Sequence, residues 1–125
     1  MAVAQGRPRR TATGGRYKDY RKKRDHETGN VPALTKLGPV RKKNVRMRGG
    51  HEKKILLSVE ALNLFDPKTK KASRAIIKNI VENPANRHFV RRNIITKGTI
   101  VETDKGKAKI TNRPGQEGTV NGVLI

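Results

Sequence analysis

From Val40 onward the chain alternates between apolar and charged positions. Val40, Val45 and Met47 sit among Lys and Arg, the pattern of a half-buried strand with a cationic outer face. Gly49-Gly50 then reads as a turn. Ile55-Leu56-Leu57-Ser58-Val59 is the best-defined apolar run and predicts a central strand. Ala61-Leu62-Asn63-Leu64-Phe65, ending at Asp66-Pro67, fits either a helical turn or a continuing strand. Within Lys71–Glu82, Ile76, Ile77, Ile80 and Val81 fit one helix face. The β-branched enrichment and the following Asn83-Pro84-Ala85-Asn86 turn favour a strand entering a hairpin instead, with His88–Arg92 returning. Thr99–Thr103 and Lys107–Thr111 flank Asp104-Lys105-Gly106, a short hairpin loop. Arg113-Pro114-Gly115 turns again, and Gly118–Ile125 is an apolar last strand.

Before Val40 the pattern disappears. Pro8, Gly14, Gly15, Gly29, Pro32, Gly38 and Pro39 break regular structure too often for a long helix, although a short helical turn over Tyr17–His26 is compatible with the spacing. Arg7–Arg24 holds nine Lys or Arg, one Asp, and no Leu, Ile, Val, Phe or Met. Such a segment cannot offset its ordering entropy by packing on itself. The expected fold class is mainly β. Residues 39–125 would form a small antiparallel barrel of about six strands, closed because a thin core leaves edges costly. Residues 1–38 would be a long, basic, largely extended arm, disordered when free.

Charge turns this outline toward a partner. The 125 residues hold 30 Lys or Arg against 10 acids, a formal net charge of +20, with only 3% aromatics. Self-repulsion at that density is relieved by a polyanion, and nucleic acid is the densest one in a cell. A membrane is disfavoured: no apolar span reaches the length a helix needs, and no basic amphipathic helix carries Trp or Phe anchors. With no Cys, disulfides, thiolate chemistry and Cys-ligated zinc are absent together. The first ten residues contain no apolar run of the secretory type, and cytoplasmic residence is expected.

Catalysis finds little support. His26, His51 and His88 lie in unrelated contexts, and the closest carboxylates, Asp25/Glu27 and Glu102/Asp104, sit among lysines as salt-bridge partners do. No phosphate-binding GxxxxGK[ST] occurs, and Gly14-Gly15 lacks a preceding apolar strand. No cofactor, metal or small-molecule substrate is expected. Nucleic-acid contact has positive support in four cationic clusters. The candidate residues are Arg7, Arg9, Arg10, Thr13, Gly14, Gly15, Arg16, Arg21, Lys22, Lys23 and Arg24 in the arm. Beyond it they are Arg41, Lys42, Lys43, Arg46, Arg48, Gly49, Gly50, Arg91 and Arg92. Arginine forks suit phosphate, and a glycine pair admits close backbone approach. Tyr17 and Tyr20 either stack on exposed bases or pack against the barrel.

Particular residues narrow the class. Arg10-Thr11-Ala12-Thr13-Gly14-Gly15-Arg16 and Arg21-Lys22-Lys23-Arg24-Asp25-His26-Glu27-Thr28-Gly29 resemble the N-terminal signature of a ribosomal protein family. It is the archaeal and eukaryotic small-subunit family written S-eight-e. Val45–Gly50, Phe89–Gly98 and Arg113–Ile125 resemble it too, in order along nearly the whole chain. The resemblance implies a structural component of the small ribosomal subunit, a β-barrel whose basic arm threads into small-subunit ribosomal RNA beside other ribosomal proteins. It implies the short archaeal form, without the large insertion and C-terminal extension of eukaryotic members. The competing readings are a basic architectural DNA-binding protein and, against the missing acid/base constellation, a small RNA-processing enzyme.

Overall fold

The computed structural model describes residues 8–18 and 20–125. The chain divides into two compact units, residues 1–32 and 33–125. The larger unit contains all the named strands. β1 (Lys36–Leu37), β2 (Arg41–Arg46) and β3 (Glu52–Val59) form one sheet in the order β1-β3-β2. β4 (Ala61–Asp66), β5 (Lys71–Glu82), β6 (Ile100–Thr103), β7 (Gly106–Ile110) and β8 (Asn121–Leu124) close into a barrel. The barrel therefore has five strands rather than six, and the remaining strands make a second sheet beside it.

Alternation sets the barrel's inner face. Leu62 and Leu64 on β4, Ala75, Ile77 and Ile80 on β5, Val101 on β6, and Ala108 and Ile110 on β7 are buried. Their neighbours along each strand, such as Asn63, Arg74, Glu102 and Lys109, are exposed. Leu62 is 0% exposed, and burying a Leu contributes about 1.5–3 kcal/mol. Leu56 and Val59 of β3 enter the same core. They lie three residues apart and both point inward because the β2–β3 register slips between Arg41 and Lys42.

Both segments that fitted helix or strand are strands. In β5 a register shift between Ile77 and Asn79 puts Ile77 and Ile80 on the same inward side. The bulge thus makes strand spacing imitate a helical face. Asp66 closes the β4–β5 hairpin by accepting from the Lys68 amide (2.9 Å) and the Thr69 hydroxyl (2.8 Å). Those bonds, with the hydroxyl contribution first, hold its carboxyl below the usual range.

His88–Arg92 is not a return strand. Arg87–Arg91 forms a short helix, α1, capped by the Asn86 side chain accepting from the His88 amide at 2.9 Å. Asn93, at φ 52°, ends it. The chain from β5 to β6 is fixed by buried Asn83. Its Nδ2 donates to the Ile94 carbonyl (3.0 Å), and its Oδ1 accepts from the Ala85 amide (3.1 Å) and the Thr96 hydroxyl (2.9 Å). Two other expectations also shift. β2 is not half-buried, since all its residues but Val45 are exposed and Val40 and Met47 beside it are 48% and 43% exposed. In the last hairpin the turn is Asp104-Lys105, with Gly106, at φ 127°, already opening β7.

β8 is shorter than the apolar run suggested. It pairs antiparallel with β7 and parallel with β4, placing Gly122 between Ile110 and Leu64. In the smaller unit the Tyr17–His26 region contains a single 3-10 turn, Asp25–Glu27.

Candidate nucleic-acid interface

Among the described residues the smaller unit begins with a tight hairpin. Arg10 and Arg16 face each other in an antiparallel bridge. The Tyr17 amide donates to the Arg9 carbonyl (3.2 Å), and the Thr11 amide to the Gly15 carbonyl (2.8 Å). Gly14 stands at φ 86°, a conformation open to glycine and costly for other residues. The Arg10 guanidinium donates to the Gly14 carbonyl at 2.9 Å, and the Thr11 and Thr13 hydroxyls bond each other at 2.9 Å. Two arginines directly opposed across a hairpin repel, and no acidic side chain pairs with either among the described residues.

The next cluster is arranged differently. Arg21 grips Glu27 through both terminal nitrogens (2.8 and 2.5 Å), and Glu27 also accepts from the Arg24 amide at 3.0 Å. The guanidinium bonds, with the amide second, hold the Glu27 carboxyl down at about 2. The same pair raises Arg21 above its ordinary value. Arg21 is thereby a brace for its loop, while Lys22, Lys23 and Arg24 stay exposed and outside any ion pair among the described residues. Tyr20 is 88% exposed with the Arg21 guanidinium 5.2 Å from its ring centre, and Tyr17 is 42% exposed.

A second cationic hairpin is built by β2 and β3. Arg41 to Lys54 contains seven Lys or Arg and one acid, Glu52. The turn carries Arg48, Gly49 and Gly50, with both glycines at positive φ (78° and 83°) and the Met47 amide bonded to the His51 carbonyl at 2.6 Å. Lys42, Asn44 and Arg46 lie opposite Leu56, Lys54 and Glu52, while Lys43 and Val45 lie opposite Ile55 and Lys53. Cations therefore occupy both faces of the ribbon. They also suit its outer side, since β2 is the sheet's edge and charge there deters pairing with another chain.

The candidates do not gather into one pocket. Arg9, Arg10, Thr13, Gly14, Gly15, Arg16 and Tyr17 share the first hairpin, and Arg41, Lys42, Lys43, Arg46, Arg48, Gly49 and Gly50 share the second. Arg91 and Arg92 stand at the end of α1. Arg7 lies outside the described residues. Sequence reasoning passed over Lys53 and Lys54, which complete the ribbon, and Lys107 and Lys109 on the barrel's outer face. Lys-Ala-Lys around buried Ala108 was a visible signal, since cations two apart on a strand share one face. Arg21–Glu27 is the only ion pair among the described residues. No group of three His, Asp or Glu side chains there is placed to hold a metal, and no helix there is long and apolar enough to cross a membrane.

These features define a small, strongly basic β-barrel protein whose cations are displayed rather than paired. Within that class the chain belongs to the ribosomal protein S8e family, whose model matches residues 4–125. It is 51% identical to the small ribosomal subunit protein eS8 of Methanococcus aeolicus, over 100% of this chain and 98% of that protein. To the eS8 proteins of Methanobrevibacter smithii and Methanosarcina barkeri it is 48% and 45% identical, over 100% and 97% of each chain.

Proposed function

We propose that this protein is a structural constituent of the small ribosomal subunit that binds and stabilises small-subunit ribosomal RNA, with a role in translation and subunit assembly. The observation that carries the reading is the opposed Arg10–Arg16 pair. It is a repulsive arrangement in the free chain and a ready two-pronged phosphate clamp beside RNA. The arm, residues 1–38, and the β2–β3 ribbon are the binding elements, and the five-stranded barrel β4–β8 within residues 39–125 is their scaffold. No residue among the described part of 8–32 is buried, which supports ordering of the arm on RNA rather than by a core of its own. The RNA-binding residues are those of the two hairpins, Tyr20 to Arg24, and Arg91 with Arg92. The names of the relatives support the same reading, with other small-subunit proteins as neighbours, the cytoplasmic ribosome as location and no catalysis.

The test is co-sedimentation of the tagged protein with small subunits, followed by binding to isolated small-subunit RNA across a salt series. Arms that neutralise about eight phosphates give a log–log salt slope of about −6 to −7. Arg10→Ala with Arg16→Ala should make the slope shallower. Recovery with chromosomal DNA instead of small subunits would overturn the reading.

A further inference from the structure

A cleft of about 100 Å3 opens between the three-stranded sheet and the outer wall of the barrel. The sheet contributes Lys42, Leu56 and Val59, with Val40 just before β2, and the barrel contributes Asn63 and Arg74, with residues 118–120 at one end. Resting on the ribosomal RNA reading above, we propose that this cleft receives one unpaired nucleobase of the RNA, with its flanking phosphates on Lys42 and Arg74.

The two walls are chemically matched. Lys42 lies directly opposite Leu56 across β2–β3, and Arg74 directly opposite Asn63 across β4–β5. Each wall thus brings one cation to the cleft. No acidic residue lines the cleft, and neither Lys42 nor Arg74 makes an ion pair among the described residues. Exposed Val40 gives an aliphatic edge above the buried Leu56 and Val59 at the floor, and a guanidinium plane also accepts a stacked base.

Asn63 adds a base-edge contact. Its Nδ2 donates to Asn121 Oδ1 at 3.0 Å, which orients the amide and keeps Oδ1 for an exocyclic amino group. The Asn63 amide is already satisfied by the Val120 carbonyl (2.9 Å), so the backbone there is held in place.

Size restricts the occupant. At about 100 Å3 the cleft is smaller than the engineered apolar cavity of about 150 Å3 that takes up benzene, so it admits part of a single ring, with the rest of the nucleotide outside its open mouth. A stacked base pair cannot enter, which limits the ligand to a nucleotide in a loop, bulge or single strand. Lys42 shares its face of the cationic ribbon with Arg46, so a strand tracking that face from Arg46 arrives at the mouth of the cleft. This would give a barrel scaffold one point of RNA discrimination that the charge-driven hairpins lack.

The experiment uses a single-stranded hexaribonucleotide carrying one 4-thiouridine, and a blunt A-form RNA duplex with the same number of phosphates. Irradiation of the full-length protein with the hexamer should give adducts on residues lining the cleft. Val40→Trp, at a position 48% exposed, fills the mouth without altering charge. It should abolish those adducts and weaken the hexamer at least about 5-fold, while duplex affinity changes less than about 2-fold. Asn63→Leu, also neutral in charge and on an exposed position, should lower hexamer affinity alone and serves if Val40→Trp does not fold. Adducts confined to the first hairpin and to ribbon residues outside the cleft, such as Arg48 and Lys53, or equal losses for hexamer and duplex, would overturn the cleft and leave the ribosomal RNA reading standing. Failure of the wild-type chain to bind small-subunit RNA at all would remove that reading itself.

Discussion

Gly14→Ala isolates backbone geometry from charge at the first hairpin. Nothing lies within 4 Å of a β-carbon built there, so its cost is set by φ 86° alone. Placing an L-residue in the left-handed region costs roughly 1–2 kcal/mol. Because the turn sets the two hairpin arms bearing Arg10 and Arg16, that cost should appear in RNA affinity, as a loss of about 5- to 30-fold. The salt slope should not change, since every cation remains. Gly14→Asn should recover most of the loss, because Asn tolerates the left-handed region. Gly15→Ala is the internal comparison. Its β-carbon would come 3.2 Å from the Thr11 hydroxyl, a group able to turn aside, so the effect should be small. Titrating fluorescent small-subunit RNA with the four proteins at two salt concentrations measures all of this. Wild-type affinity in Gly14→Ala would show that the turn is not formed on RNA. If Gly14→Asn binds as poorly as Gly14→Ala, contact with the nucleic acid rather than φ sets the requirement, and the reasoning fails.

Gly122→Ala should destabilise the barrel by about 1–3 kcal/mol, because its β-carbon would meet Leu62 Cδ1 and the Lys109 carbonyl oxygen, both at 3.1 Å; an unchanged urea midpoint would contradict that packing. Asn83→Ala leaves the Ile94 carbonyl, the Ala85 amide and the Thr96 hydroxyl short of a partner and should cost about 2–3 kcal/mol, read from the same denaturation curve. The Arg21–Glu27 brace should be pH-dependent at its acid end. Glu27 is depressed from 4.5 to about 2, so its contribution is present above about pH 4.5 and is lost as pH falls through 2. Amide shifts of Arg24 and Thr28 followed by NMR should titrate near 2, and a midpoint at 4.5 would show that the brace is not formed.

Some of this was readable in the residues, and the misreadings have physical causes. Thr99–Thr111 announced its hairpin because turn chemistry and alternation agreed over a short span. Lys71–Glu82 stayed ambiguous because the bulge after Ile77 spaces Ile77 and Ile80 three apart, as a helix would. His88–Arg92 looked like a strand for its Phe89-Val90 pair, whereas Asn86, placed to cap a helix, was the deciding residue. Val40–Met47 seemed half-buried because apolar residues usually mark an inner face, yet β2 lies at a sheet edge. At the interface, charge and glycine placement pointed to both hairpins. Which cations are displayed and which brace a loop was not legible, since Arg21 looks like its neighbours until Glu27 folds back on it. The cleft was hidden altogether, because its walls come from β2, β3, β4 and β5 and a loop far along the chain.

Closure of the barrel rests on one seam between strands far apart in sequence, β4 and β8. Asn121 of β8 pairs with Asn63, and Lys109 pairs with Val123, so β8 slots between β4 and β7 with one parallel and one antiparallel seam. The β7–β8 pairing is short in sequence, but until the β4–β8 seam forms, β4 and β8 both present unpaired edges. Long-range pairing of this sort is slow, because the loop entropy must be met before the contacts form. Folding of the larger unit should therefore be slowest at that seam. While it is open, the two edges are the part of the sheet most exposed to misassembly with other chains. A cell making this protein faster than the seam can close would meet aggregation as a matter of kinetics, whatever the stability of the finished barrel.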